Sequence, residues 1–474
     1  MQRRSFLAAS SLAAFAQTKQ RPNLLFITSD DLGPYLSCYG EKRILTPNLD
    51  KLAASGVRFE TAYVGQASCS PSRSAMLTGL YPHSTGQYGL ANAGFALHEP
   101  LRANTMPNVL RRAGYKTGII GKLHVEPESS FQWDYRGTRD AQTRKVKTIA
   151  PEARNFIDSA KSDPFFLMLN YSDPHAFRNA NAPGGWDFPP QIDGIPKDPY
   201  PANANALFDF QQIDTPEQRV RTAGYFNAIE RLDVGIGDLL ATLEASGKAE
   251  NTVIVFCGDH GPPFARGKTS VYEAALRVPF LLRWPGVTKP NLVSRKMVST
   301  VDIMPTLLDA AGLEAPHSFH GKSLRQAMGS GPWRQYLGAE FHFHGLRPFY
   351  PRRTVRDGQY QIIHNLLAGR AKPSPGIDGD PAYQVSRDAK YDGTAVRKAF
   401  DTFANPPEFE LYDIQKDRIA FHNLAGDPKF SKVEARMKGA LLQWRKETGD
   451  PFLEPTFLEK WEKQGAPALA NQKQ

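Results

Sequence analysis

The chain has very little cysteine. Cys38, Cys69 and Cys257 are the only three in 474 residues, an odd number and too few for a disulfide-stapled scaffold. Long apolar runs are scarce too. No stretch approaches the ~20 residues that a membrane-spanning helix requires, so no membrane partner is expected. An internal repeat and a sustained heptad pattern are also absent, which argues against solenoids and coiled coils. What remains is an ordinary soluble composition, 41% hydrophobic and 22% charged, long enough for a large domain plus a smaller one. Glycine (38) and proline (37) are plentiful and point to many loops around a scaffold. The formal charge of +10 fits an anionic partner, and fits a merely solvated basic surface equally well.

The N-terminus, MQRRSFLAASSLAAFAQ, reads as a targeting segment. Arg3 and Arg4 precede Phe6-Leu7 and a short apolar run, and Ala14-Phe15-Ala16 supplies a small-x-small cleavage pattern. Residues 1–16 resemble a Tat signal peptide, so the mature protein is expected to be exported, periplasmic or extracellular. Export permits disulfides. Cys257, inside the apolar run TVIVFCGD, reads as a buried strand residue; it and Cys38 are either paired or two inert thiols. Cys69 fits neither description. It sits in the polar stretch SCSPSRSAMLTGL, with Pro71 and Arg73 two and four residues downstream, whereas a structural cysteine lies in apolar surroundings. A chemical role is expected for it.

Helical patterns alternate with short, fully apolar runs. NLLFITS, the strand at 117–121, FFLMLN at 165–170, TVIVFC at 252–257 and VPFLLRWPG each follow or precede an amphipathic segment. Apolar runs without alternation read as strands buried on both faces, hence an α/β fold with a large, mostly parallel sheet sandwiched by helices. From about residue 335 the alternation stops. RRTVRDGQYQIIHNL and FELYDIQKD read as antiparallel strands and DPKFSKVEARMKGALLQWRKET as a closing helix. The expected organisation is a catalytic domain over 17–335 and a smaller C-terminal α+β domain over 336–474. Two segments, 178–218 and 368–408, read as long and irregular, the first placed to wall a substrate pocket.

Polar clusters fall at equivalent places on this plan. Asp30-Asp31, Lys122 with His124, Asp173 with His175, and Asp259-His260 each follow the C-terminal end of an expected strand. Ligands of open α/β sheets bind at that edge. One such pair is often turn or cap chemistry; four at equivalent positions converge on one site.

Cys69-x-Pro71-x-Arg73, followed by Leu77-Thr78-Gly79 and preceded by the Asp30-Asp31 pair, resembles the signature of type I sulfatases in the alkaline-phosphatase superfamily. The resemblance implies that a maturation enzyme converts Cys69 to Cα-formylglycine. It assigns Asp30, Asp31, Asp259 and His260, with an oxygen at position 69, to a Ca²⁺ ion. It gives Arg73 the formylglycine hydrate, Lys122 and Lys268 the sulfate oxygens, and His124 and His175 the proton transfers. Lys268 alone also reads as a solvated lysine in a glycine-flanked loop. The implied chemistry is attack on sulfur by one hydrate oxygen, protonation of the leaving atom by His175, and release of sulfate when His124 deprotonates the second oxygen.

CSPSRSAMLTGLYPHSTGQYGL, KTGIIGKLHVEPE, GDHGPPFARGKTSVYE, RRTVRDGQYQIIHNL and FELYDIQKDRIAFHNLAGDPKF resemble the sulfamidase branch, which removes N-linked sulfate from glucosamine in heparan-type glycans. The resemblance runs from about residue 22 to 450. The sequence departs from the branch at His260, where Asn is expected, and at Lys268, where Arg is expected. The partners implied are a sulfated saccharide and the maturation enzyme, without nucleic acid. His342 and His344 are read either as substrate contacts or as alternating residues of a strand. An O-sulfatase, a phosphonate or phosphodiester hydrolase on the same fold, and a non-catalytic polyanion binder are the competing readings. The Asp-His pair favours the hydrolase, and charge alone favours the binder.

Overall fold

A computed structural model describes residues 21–345 and 347–470. The signal-like segment 1–16 lies outside the described residues. The main sheet is built from β1 (Asn23–Ser29), β2 (Val57–Phe59), β3 (Lys116–Gly121), β4 (Tyr135–Arg136), β5 (Phe165–Tyr171), β6 (Thr252–Gly258), β7 (Phe280–Arg283) and β8 (Leu292–Ser294). Its spatial order is β8-β2-β7-β6-β1-β5-β3-β4. All pairings are parallel except those of β7, which runs antiparallel to both neighbours.

Both faces of the sheet are apolar. Alternate residues of one strand enter different cores: Leu25 and Ile27 of β1 pack with helices Ile149–Ser159 and Pro216–Ala245 on one side. Leu24 and Phe26 pack with helices Met106–Arg112 and Ile303–Ala311 on the other. This two-sided burial is why the strands read as unbroken apolar runs, and each such side chain contributes roughly 1.5–3 kcal/mol. The longest helix, Pro216–Ala245, starts at a Thr215 cap that accepts from the Gln218 amide, with Pro216 at a position that needs no donor. Tyr225, Ile229, Leu232, Ile236 and Leu239 line its buried stripe.

A second sheet is antiparallel throughout: β9 (Leu337–Phe341), β10 (Arg352–Arg356), β11 (Tyr360–Asn365) and β12 (Phe409–Asp413), in that order. One face meets helix Ser431–Glu447 through Met437, Leu441 and Trp444. Gly338 is required there, because a Cβ would lie 2.1 Å from the Trp444 indole. The other face, with Ile363 and Tyr412, shares a core with Tyr63, Val64, Ala67 and Val278 of the large-sheet region.

One expectation needs correction, and one open question is settled. The 368–408 segment is not irregular throughout: Thr394 caps a regular helix, Ala395–Ala404, whose Val396, Ala399, Phe400 and Phe403 are buried. The glycines and prolines before it masked that amphipathic repeat. Cys38 and Cys257 are both free thiols. Cys257 packs into the core on one face of the sheet and Cys38 against the core on the other, so the sheet separates them.

Candidate active site

Cys69 is the first residue of a fully buried helix, Cys69–Thr78, and Ser68 enters it in extended backbone. Each part of the motif has a local reason. Pro71 lies in the first turn, where backbone amides lack intrahelical partners and a missing N–H costs little. Arg73, four residues on, falls on the same helix face as Cys69. Leu77 enters the core, and Gly79 ends the helix at φ 72°, where a Cβ would lie 2.6 Å from the Phe319 ring. The helix thus presents its N-terminus, with unpaired amides and a positive dipole end, at residue 69.

The strand-end clusters meet this N-terminus. Asp30 and Asp31 follow β1, Asp259 and His260 follow β6, Lys122 and His124 follow β3, and His175 follows β5. Arg73 reaches Asp259 at 3.0 Å and Asp30 at 3.5 Å, and donates to Asn170 Oδ1 at 3.0 Å. Lys122 Nζ donates to Asp30 Oδ2 at 2.6 Å. Lys268 Nζ lies 3.0 Å from Asp31 Oδ1. His260 Nε2 lies 3.2 Å from Asp31 Oδ1 and 3.4 Å from Cys69 Sγ. His175 Nε2 lies 3.7 Å from Asp31 Oδ2, and its Nδ1 bonds to the Ala176 carbonyl. Asp31 and His124 both adopt left-handed backbone, φ 62° and 55°, the kind of local strain that gathers at functional sites.

The electrostatics follow from burial. Burial alone would raise Asp30, but Lys122, His175 and Arg73 outweigh it and hold the carboxyl well below its usual range. Burial pushes Asp31 up to about 6 despite His175 and Lys268. Asp259 and Asp31 overcome the burial of His260 and push it up to about 10. Burial and then Lys122 push His124 down to about 3, so its ring is a neutral base. His175 is lowered by burial, with Asp31 partly offsetting.

Asp30, Cys69, Asp259 and His260 can converge on one ion, as can Asp31, Cys69 and His175. Asp30 Oδ1 and Asp31 Oδ1 are buried and accept no hydrogen bond. Carboxylates in both groups, with one oxygen of Asp30 and one of Asp31 accepting no hydrogen bond, fit a hard, oxygen-seeking cation such as Ca²⁺. His260 adds a nitrogen: its Nδ1 donates to the Gly261 carbonyl at 2.9 Å, which turns Nε2 toward the acids, where a bound cation would take the place of its proton.

These groups open into a cavity of about 1000 Å³ lined by Cys69, Lys122, His124, His175, Lys268 and His344. The two long loops wall it, through Arg178, Gly184 and Trp186 from one and Asp378, Gly379 and Asp380 from the other. His344 lines this cavity, with Nδ1 2.9 Å from Ser68 Oγ. His342 does not. It is fully buried away from the cavity, bonded to Gln66 at 2.8 Å. Both follow the end of β9, so they are not alternating residues within a strand. Asp173 is committed to structure, in a two-pronged ion pair with Arg231 at 2.6 and 2.8 Å.

Sequence reading missed Asp378, whose carboxylate lies 3.2 Å from Lys268 Nζ. Its one signal was an acid held between turn residues in GIDGD; nothing local linked it to a lysine so distant in sequence.

The sulfatase family profile matches residues 22–313. The chain belongs to the sulfatase family. It is thus a hydrolase of sulfate esters or sulfamates, and the sulfatase C-terminal region carries a second match, over 258–371, to the profile described as N-sulphoglucosamine sulphohydrolase, C-terminal. This sulfatase is 30% identical over 470 residues to human N-sulphoglucosamine sulphohydrolase, spanning 92% of each chain. It is 28% identical to an ulvan-active sulfatase of Formosa agariphila over 93% of this chain and 83% of the relative. Among solved structures, one in complex with its substrate D-glucosamine-2-N,6-O-disulfate shares the fold, with a TM-score of 0.67 and 21% identity over 91% of this chain and 99% of the other. Among the described residues, no helix is long and apolar enough to cross a membrane.

Proposed function

We propose that this sulfatase is an exported, formylglycine- and Ca²⁺-dependent sulfamidase that removes N-linked sulfate from glucosamine in heparan-type glycans. The observation that carries the substrate is the likeness to human N-sulphoglucosamine sulphohydrolase over 92% of both chains, with the matching C-terminal region over 258–371. A maturation enzyme would read the Cys69-Pro71-Arg73 motif before export through residues 1–16.

Asp30, Asp31, Asp259 and His260 would hold the cation, which supplies positive charge and acidifies an oxygen at position 69. Converted to a hydrated aldehyde, residue 69 supplies one oxygen to attack sulfur and a second whose deprotonation expels sulfate. The remaining work falls to side chains. Arg73, on the same helix face as residue 69, orients the hydrate. Lys122 and Lys268 line the cavity beside it and balance charge on the transferring group, usually the dominant catalytic contribution. The Nδ1 bond to Ala176 fixes the His175 ring, leaving Nε2 to carry a proton to the leaving nitrogen. An amine anion is a very poor leaving group, so this proton must arrive as the S–N bond breaks. His124, held neutral, is suited to take a proton from residue 69.

The test is free sulfate released from N-sulfated glucosamine and from 6-O-sulfated N-acetylglucosamine, side by side. Release from the first, with a marked loss in His175→Ala, is expected. Release from the second alone would leave a sulfatase and discard the sulfamidase.

A further inference from the structure

Four cations line the reaction cavity: Lys122, Lys268, Arg178 and Arg347. The two lysines have carboxylate partners at 2.6 to 3.2 Å. The two arginines do not. Among the described residues no carboxylate lies within the 4.0 Å ion-pair limit of Arg178 or Arg347. Arg347 is half-buried and spends one nitrogen, NH1, on neutral acceptors, Ser374 Oγ at 3.0 Å and the Gly376 carbonyl. Arg178 lies over the Trp186 ring at 4.2 Å, and Trp186 in turn packs against His175 at 5.9 Å. Stacking fixes the plane of a guanidinium and leaves its N–H edge free for an anion. Of the acids that line the cavity, Asp378 holds Lys268 and Asp380 accepts from the Ala265 amide at 2.6 Å and Gln211 at 2.7 Å, while Asp140 and Glu217 line it without an ion pair to either arginine.

We propose that Arg347 and Arg178 form a second anion subsite in this cavity. The preferred substrate is then a sugar unit carrying another acidic group, a sulfate or a carboxylate, besides the sulfate that leaves. A half-buried guanidinium without an acid loses hydration that nothing restores, whereas a ligand sulfate or carboxylate supplies charge-assisted, two-pronged hydrogen bonds. The cavity, about 1000 Å³, is large enough for more than one small group beyond the reacting sulfate. The proposal deepens the sulfamidase reading and rests on it only for the identity of the sugar.

The experiment measures kcat/KM for glucosamine bearing N-sulfate alone, 6-O-sulfate alone, or both, and for an N-sulfated glucosamine linked to a uronic acid. The position of the sulfate released tests the sulfamidase reading; the ratio of doubly to singly anionic substrate tests the subsite, whichever bond breaks. We expect a ratio of about 10 to 100, the range of one charged hydrogen-bonded pair. A high ratio for the disulfate identifies a second sulfate, and a high ratio for the disaccharide a carboxylate. The ratio should fall toward one in Arg347→Gln and Arg178→Ala and recover in part in Arg347→Lys. A wild-type ratio near one for both, or a ratio that neither variant changes, overturns the subsite. Should Arg347→Gln loosen the 374–380 segment, the exposed Arg178→Ala carries the comparison.

Discussion

Cys69 occupies a buried helix N-terminus that an ordinary thiol has no structural need of. Its neighbours are Asp31, Asp259, Arg73 and His260, and among the described residues its Sγ makes one side-chain hydrogen-bond contact, with His260 Nε2 at 3.4 Å. Removing it should therefore leave the fold intact. We expect Cys69→Ala to purify as a folded protein, its Tm within a few degrees of wild type, and to lose at least ~10³-fold in sulfate release, the scale seen when an enzyme nucleophile is deleted. The mass of the tryptic peptide containing residue 69 should show an aldehyde in place of the thiol. An alanine variant with near wild-type turnover would refute the covalent mechanism. At the same scale, Glu340 accepts from the His83 amide at 2.8 Å and pairs with His83 Nδ1 at 2.6 Å, in full burial. Burial alone would raise its carboxyl, but His83 and Arg353 outweigh it and bring it to about 2, against 4.5 for the free side chain. Because the folded value is depressed, its stabilisation is complete above pH 4.5 and is lost as pH falls toward 2. Two to three pKa units correspond to roughly 3 kcal/mol. Glu340→Gln should lower the Tm at neutral pH and flatten the acid limb of a Tm-against-pH curve; an unchanged acid limb would remove Glu340 from the account.

At the scale of elements, the two long loops meet by backbone. A Cβ on Gly184 would lie 2.6 Å from Gly379 Cα, and one on Gly379 would lie 2.7 Å from the Gly184 carbonyl. Both glycines have left-handed backbone, φ 66° and 73°, where an L side chain costs about 1–2 kcal/mol. Both also line the cavity. The contact joins the cavity walls, so Gly379→Ala should part them. We expect KM for a sulfated sugar to rise several-fold and protease cleavage within 178–218 to accelerate, while global Tm changes little. Equal KM and cleavage rates in variant and wild type would show that the loops hold without this contact.

For the whole molecule, the carboxylates proposed to hold a metal stand at the ends of β1 and β6, the centre of the sheet. Asp30, Asp31 and Asp259 repel one another and are offset by Arg73, Lys122 and Lys268. A cation that binds only the folded form stabilises by mass action, about 2.7 kcal/mol at a hundredfold excess over Kd. Chelation should therefore lower the Tm by several degrees, and added Ca²⁺ should restore it. Elemental analysis of the purified protein is expected to find Ca²⁺. Stoichiometric Mn²⁺ or Zn²⁺ in its place would assign the His260 nitrogen a softer metal and favour a phosphonate or phosphodiester hydrolase.

The sequence alone determined the parts whose information is local. Strands buried on both faces must be apolar at every position, so β1, β3, β5 and β6 were legible as runs, and the residues after each had to lie along one edge. The motif around residue 69 was legible because a helix turn brings positions 69 and 73 to one face. Pairings across long separations depend instead on how loops close. Asp378 reaches Lys268 across 110 residues, and His344 enters the cavity while His342, two residues before it, turns to Gln66. Whether Cys38 could meet Cys257 was open until the sheet was placed between them. The unpaired state of Arg347 and Arg178 emerges only once the fold shows which acids reach the cavity and that, among the described residues, none forms an ion pair with either arginine. Those facts belong to tertiary structure, because burial and charge compensation are settled by what surrounds a side chain in space and not by its neighbours along the chain.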